Sequence, residues 1–197
     1  MNAVVSVRHA YDREAFLKAA QSRFAAAFGD SGPDAASFLE QLWGDALADD
    51  LAGISEQDAI SLAEEFWRYG VERGSDKLLV RVRTAHGADG RNLERDILEV
   101  IGQDRPFLVD SVMGEIASQG LDVLAMFHPV VQVRRDDEGQ RVASGGRCLN
   151  ESMIQVHLDL LSEDLRERLA AMQAAHAQDR AAVDERVAVP EQSRLAA

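Results

Sequence analysis

Cysteine is almost missing from this chain: Cys148 stands alone among 197 residues. An internal disulfide framework is therefore excluded, and a reducing cytoplasm is the expected compartment. Lysine is nearly as scarce, with only Lys18 and Lys77 among 21 basic residues, and the net charge is −13. Acids outnumber bases on both sides of Asp76, by 14 to 6 before Lys77 and 20 to 15 from there on. A phosphate backbone is held by clustered cations, so nucleic acid is not an expected partner. No apolar run approaches the roughly 18 residues that cross a bilayer, and Met1–Arg8 lacks a basic segment followed by an apolar one. Neither a membrane partner nor a secretory leader is expected.

Motifs that carry chemistry are missing as well. There is no G-x-x-x-x-G-K-[ST] and no G-x-G-x-x-G, so phosphate-cradling and dinucleotide loops of the usual kind are excluded. The five histidines (9, 86, 128, 157 and 176) show no metal-ligand spacing. Ser111 has no glycine elbow and is expected mid-helix, and Cys148 has only Arg147 as a basic neighbour. His128 and His157 read as hydrogen-bonded structural histidines. No catalytic residue, no metal site and no cofactor are expected within these residues.

What is present is a globular pattern, 46% hydrophobic and 28% charged. Residues 1–76 read as a helical leader. Phe16, Leu17, Ala20, Phe24 and Phe28 share helical spacing, and Pro33-Asp34 starts a second helix carrying Ala35, Phe38, Leu39, Leu42, Trp43, Ala46 and Leu47. Ser55 and Asp58 have capping-box spacing and open a third helix, with Ile60, Ala63, Phe66 and Trp67 inward and Gly70 or Gly74 at its end. Trp43 and Trp67 are expected in the core.

From Lys77 the period changes to 2. Leu78–Arg83 and Ile97–Ile101 read as a hairpin about the turn 86–90. The turn 102–106 leads into a helix burying Val109, Val112, Met113 and Ile116, with Pro106 at or near its first position and Gly120 in its left-handed cap. A long strand, 121–134, is expected to bend, bulge or lie on an edge at Pro129. A loop runs to Asn150. Met153–Leu160 is a strand with Ile154, Val156, Leu158 and Leu160 on one face and Gln155, His157 and Asp159 on the other. A long helix follows from Ser162, and Val187–Val189 is a candidate closing strand. The fold class is α+β: the helical leader, then a ferredoxin-like βαββα(β) domain over 77–176 with an extra N-terminal hairpin strand and helices on one face, then a tail over 177–197.

One loop reads as a candidate site. Gln103, Asp104 and Arg105 join a strand to a helix N-terminus, where free N–H groups favour an anion. An amino acid fits there, its carboxylate on the helix and its ammonium near Asp104 or Asp110. The other reading is an ordinary turn with Asp104 capping the helix.

At this loop the sequence resembles a known family. Gln103-Asp104-Arg105-Pro106-Phe107-Leu108-Val109-Asp110-Ser111-Val112, Gly120-Leu121-Asp122, His128–Asp136 and Glu151-Ser152 are similar to the N-terminal ACT-type region of the large bacterial NAD-specific glutamate dehydrogenases. Asp49-Asp50-Leu51, Trp67 and Arg73 fit that family's helical leader, and the likeness runs from about Phe38 to Leu169. The resemblance implies an ACT-like fold at the front of a long polypeptide that oxidises L-glutamate to 2-oxoglutarate and ammonia with NAD. Catalysis and NAD binding would lie downstream. It implies a regulatory and oligomerisation role here, with Gln103, Asp104, Arg105, Pro106, Phe107 and Asp110 as an effector or interface loop. Partners would be a second copy, the downstream dehydrogenase domains or an amino-acid effector. Two departures stand out. Phe107 occupies a position that is often glycine in amino-acid-binding ACT domains, and Gln178–Ala197 lacks the family's Val-rich, Trp-containing continuation. The alternatives are a free-standing ACT-like module that senses an amino acid or docks on a partner, and a structural module whose sheet edge near Pro129 or Val131 pairs with another subunit.

Overall fold

The computed structural model describes residues 13–28, 32–43, 53–74 and 77–171. Three helices come first: α1 (Arg13–Phe28), α2 (Gly32–Trp43) and α3 (Glu56–Tyr69). The capping box at α3 forms as the spacing predicts. Ser55 Oγ accepts from the Asp58 N–H, and the Asp58 carboxylate accepts from the Ser55 N–H. Asp58 also accepts from the Ala88 N–H at 2.8 Å and pairs with Arg91, so the same carboxylate docks the helix on the next hairpin turn. Gly70 ends α3. The expected inward positions Ala46, Leu47 and Met172, and the stretch 177–197 with its closing strand, lie outside the described residues.

The hairpin is longer than its apolar core suggested, as β1 (Leu79–His86) and β2 (Asn92–Gln103). Helix α4 (Leu108–Ser118) follows. It ends as expected at Gly120, whose φ of +68° lets the Leu121 and Gly120 N–H groups reach the Ile116 and Ala117 carbonyls. The expected long strand is broken at His128-Pro129 into β3 (Val123–Phe127) and β4 (Val130–Arg135). Both lie along one side of β5 (Arg147–Leu158), in continuous register through a bond from the Met153 N–H to the Pro129 carbonyl. Proline thus sits on an edge, where its missing donor costs no ladder bond. Strand β5 begins six residues before Met153, inside the expected loop, because β4 gives it a partner there. It stops at Leu158, so Leu160 is exposed rather than inward. Helix α5 (Glu163–Ala170) closes the described chain.

The sheet order is β1-β2-β5-β3, with β4 also on β5 and every pairing antiparallel. From β2 onward the order is βαββα, ferredoxin-like as expected. The extra strand β1 lies beside β2, the edge that a closing strand takes in that topology.

One expectation is overturned. The sheet carries helices on both faces, not one. Leu98, Val100, Ile154, Val156 and Leu158 pack on Val112 and Ile116 of α4 and Leu169 of α5. On the opposite face Ile101, Phe127, Val131, Val133 and Met153 share one core with Phe16, Phe24, Phe38, Trp43, Phe66 and Trp67 of the leader. The aromatic contacts are close: Phe38 to Trp67 at 4.9 Å between ring centroids, and Trp43 to Phe127 at 4.9 Å. Each such ring contributes about 3–5 kcal/mol against alanine.

The alternation in β5 hides this second core because its outward-looking face is polar. Glu99, Gln155 and His157 are all buried under the leader and are linked in a chain of hydrogen bonds. Gln155 Nε2 donates to Glu99 Oε1 at 3.0 Å, and Arg81 and Arg83 pair with the same carboxylate. The Gln155 carbonyl then faces His157 Nε2 at 3.2 Å, which places the imidazole proton on Nε2. His157 Nδ1 and Trp43 Nε1 are buried without a protein partner.

Candidate functional site

The loop after β2 is built by two constraints. The Asp104 N–H donates to the Asn150 carbonyl at 2.9 Å, which holds the loop against β5. Pro106 then turns the chain, and Phe107 takes a left-handed backbone (φ +67°, ψ +3°) as the N-cap residue of α4, with no side-chain cap. Pro106 therefore sits outside the helix, one residue before the N-cap, and not at or near the first helical position. Ser111 lies in the first turn rather than mid-helix, and its Oγ donates to the Phe107 carbonyl at 2.8 Å.

The carboxylate of Asp104 does not cap the helix. Asp104 Oδ1 accepts from Ser152 Oγ at 2.6 Å. Half-buried His128 feels the same carboxylate: burial lowers its pKa and the Asp104 charge partly offsets that. Its Nε2 is buried without a partner, as is Nδ1 of fully buried His157, so neither is the fully hydrogen-bonded histidine expected. Sequence segments far apart thus meet at Asp104, His128 and Ser152.

Beside this cluster a cavity of about 110 Å³ opens at the start of α4. Gln103, Arg105, Pro106 and Phe107 line it, joined by Lys77 and Ser111; Asp104 and Asp110 are not among its lining residues. Arg105 reaches Gln103 Oε1 at 3.3 Å. The lining charges are cationic, Lys77 and Arg105, next to the uncapped N–H groups of α4. Phe107 is 77% exposed, so its ring stands out from the loop instead of filling it.

Next to Ser152, Glu151 is fully buried between two arginines. It accepts from Arg73 at 2.7 Å and from Arg135 at 2.6 Å. Burial pushes its carboxyl up, but the hydrogen bonds and charges of Arg135 and Arg73 more than offset this and hold it below its ordinary value. Arg73, at the end of the leader, is thereby fixed to the sheet. In the sequence Arg73, Arg135, Glu151 and Ser152 stand out only as family pattern, and His128 as that and as a structural histidine. Their pairing was not readable from spacing, since 78 positions separate Arg73 from Glu151.

The family model for "Glutamate dehydrogenase, ACT1 domain" matches residues 38–174. The chain belongs to that family. The chain is also 28% identical over 137 residues to the NAD-specific glutamate dehydrogenase of Halomonas elongata, covering 66% of this chain and 8% of that protein. The chain thus spans less than a tenth of the length of that relative. No solved structure matches it.

Among the described residues, no three or more His, Cys, Asp or Glu side chains come together to hold a metal ion. No described helix is long and apolar enough to cross a membrane. The turn between β2 and α4 lacks the glycine-rich fingerprint, and its cavity of about 110 Å³ is far smaller than a dinucleotide.

Proposed function

We propose that this chain is the non-catalytic N-terminal ACT1 segment of an NAD-dependent glutamate dehydrogenase, and that it serves assembly and regulation while glutamate oxidation and NAD binding belong to the rest of the polypeptide. The observation that carries this reading is Phe107. An L-residue held at φ +67° costs free energy, and an aromatic ring 77% exposed gains none back by burial in its own chain. A ring presented in this way suits an anchor for another surface, either a second copy or a downstream domain. Arg105 and Gln103 would frame that contact. The lone cysteine, Cys148, is exposed and free, which suits a reducing cytoplasm.

An effector reading of the same loop draws on the cavity. Lys77, Arg105 and the α4 N-terminus would take the carboxylate of an amino acid. Neither Asp104 nor Asp110 lines the cavity, so its ammonium would find no carboxylate there. Interface contact is therefore the favoured role.

The test uses the full-length dehydrogenase. Phe107→Ser should shift its sedimentation toward smaller assemblies, or flatten its response to effectors, with NAD affinity unchanged. Unchanged assembly and unchanged regulation together would remove the proposal.

A further inference from the structure

Six large apolar side chains are exposed among the described residues, and four of them gather at one corner of the sheet. Val123, Leu124 and Met126 belong to β3, and Leu160 lies two residues past Leu158, the register partner of Val123. They are 37%, 43%, 40% and 46% exposed. The register slips between Val123 and Ala125, a bulge at Leu124 that turns this edge away from strand pairing. The corner therefore offers side chains rather than an open backbone ladder. Its rim is acidic. Exposed Asp122 precedes Val123, exposed Asp159 separates Leu158 from Leu160, and exposed Glu163 opens α5. Partly buried Arg95 lies near Asp159 and Arg168 pairs with Asp164, while Asp122 and Glu163 form no ion pair with a described residue. An apolar patch inside a charged rim marks a contact surface.

We propose that this corner docks an apolar surface with a basic rim, supplied by the downstream part of the same polypeptide. The inference rests on the reading above that the chain is the front of a longer enzyme. The chain spans less than a tenth of the length of the relative it matches, which leaves ample polypeptide to supply the partner. A second copy is a poor occupant, because it brings the same acidic rim and is repelled. The chain's own remaining segments (1–12, 29–31, 44–52, 75–76 and 172–197) carry no net positive side-chain charge. A basic rim matches Asp122, Asp159 and Glu163, and burial of Leu124, Met126 and their neighbours supplies the apolar centre.

The test is photocross-linking in the full-length dehydrogenase, with a benzophenone side chain placed at Leu124 and, in separate samples, at Phe107 and Val71. The Leu124 product should map to one downstream stretch that mixes apolar residues with Arg or Lys. Val71, equally apolar and exposed but outside the corner, should give no such product. Asp122→Lys with Glu163→Lys reverses the rim at two exposed positions and should lower the Leu124 yield several-fold. A product from Phe107 with none from Leu124 would overturn this surface and leave the loop reading standing. A Leu124 product with β3 of a second copy, a product with an acidic stretch, or a yield indifferent to the rim reversal would overturn it as well.

Discussion

Ser152 on β5 donates its hydroxyl to Asp104 Oδ1 at 2.6 Å, tying the loop after β2 to a strand 48 positions later. The contact explains why Asp104 neither caps α4 nor faces the neighbouring cavity. A hydrogen bond to a carboxylate in a part-buried setting contributes about 1–2 kcal/mol. Ser152→Ala and Asp104→Ala should each cost about that much in urea unfolding. The double variant should cost little more than either one, because both remove the same bond. Fully additive losses would show that the two side chains contribute separately.

Glu151 should matter more. Its replacement by alanine leaves two guanidinium groups buried without their carboxylate, an arrangement that costs about 3–5 kcal/mol. Its pH signature has a definite sign. The folded carboxyl lies below its ordinary value of 4.5, so the unfolded chain takes up the proton first on acidification. The stability from this pair is complete above about 4.5 and is lost as the pH falls through the folded value. Urea midpoints measured across that range should fall for the wild type and fall less steeply for Glu151→Gln.

Glu151 also marks the limit of what the sequence discloses. The helical stripes, the Ser55–Asp58 box, the hairpin and the Gly120 cap are local patterns, and within the described residues each formed where its spacing placed it. The family likeness was legible from Asp104-Arg105-Pro106-Phe107 with His128-Pro129. The leader's packing on the sheet was not, because Gln155 and His157 make a polar face on β5 that by itself gives no sign of an apolar partner. Only the cross-strand neighbour Glu99 and the arginines of β1 make that face burial-competent. The Phe107 conformation was equally hidden: no local rule places an aromatic residue in the left-handed region.

His157 gives that buried face a measurable response. Burial lowers its pKa, and the charges of Arg95 and Arg83 lower it further, to about 3. The unfolded imidazole keeps its ordinary value of 6.5, so below that pH the unfolded state binds a proton that the folded state refuses. Stability is complete above 6.5 and is lost by about 1.4 kcal/mol per pH unit on the way down, levelling only near 3. His128 adds a smaller loss of the same sign. Unfolding curves between these limits should flatten markedly in His157→Gln. The expected imidazole ¹⁵N spectrum shows a proton on Nε2 near neutral pH. A protonated ring at pH 5 in the folded protein would contradict both the burial and the hydrogen-bond order.

Phe107 separates stability from purpose. Glycine adopts φ +67° without the steric penalty of a side chain, so Phe107→Gly should raise the chain's own stability, by about 1 kcal/mol. Some of that gain is offset because glycine is freer in the unfolded chain. Little burial is lost in exchange, since the ring is 77% exposed. The same substitution removes the proposed anchor, so the full-length enzyme should assemble or respond more weakly while this segment unfolds later. If Phe107→Gly instead destabilises the isolated chain by more than 1 kcal/mol, the ring is packing within the domain, and the loop must be read as structural.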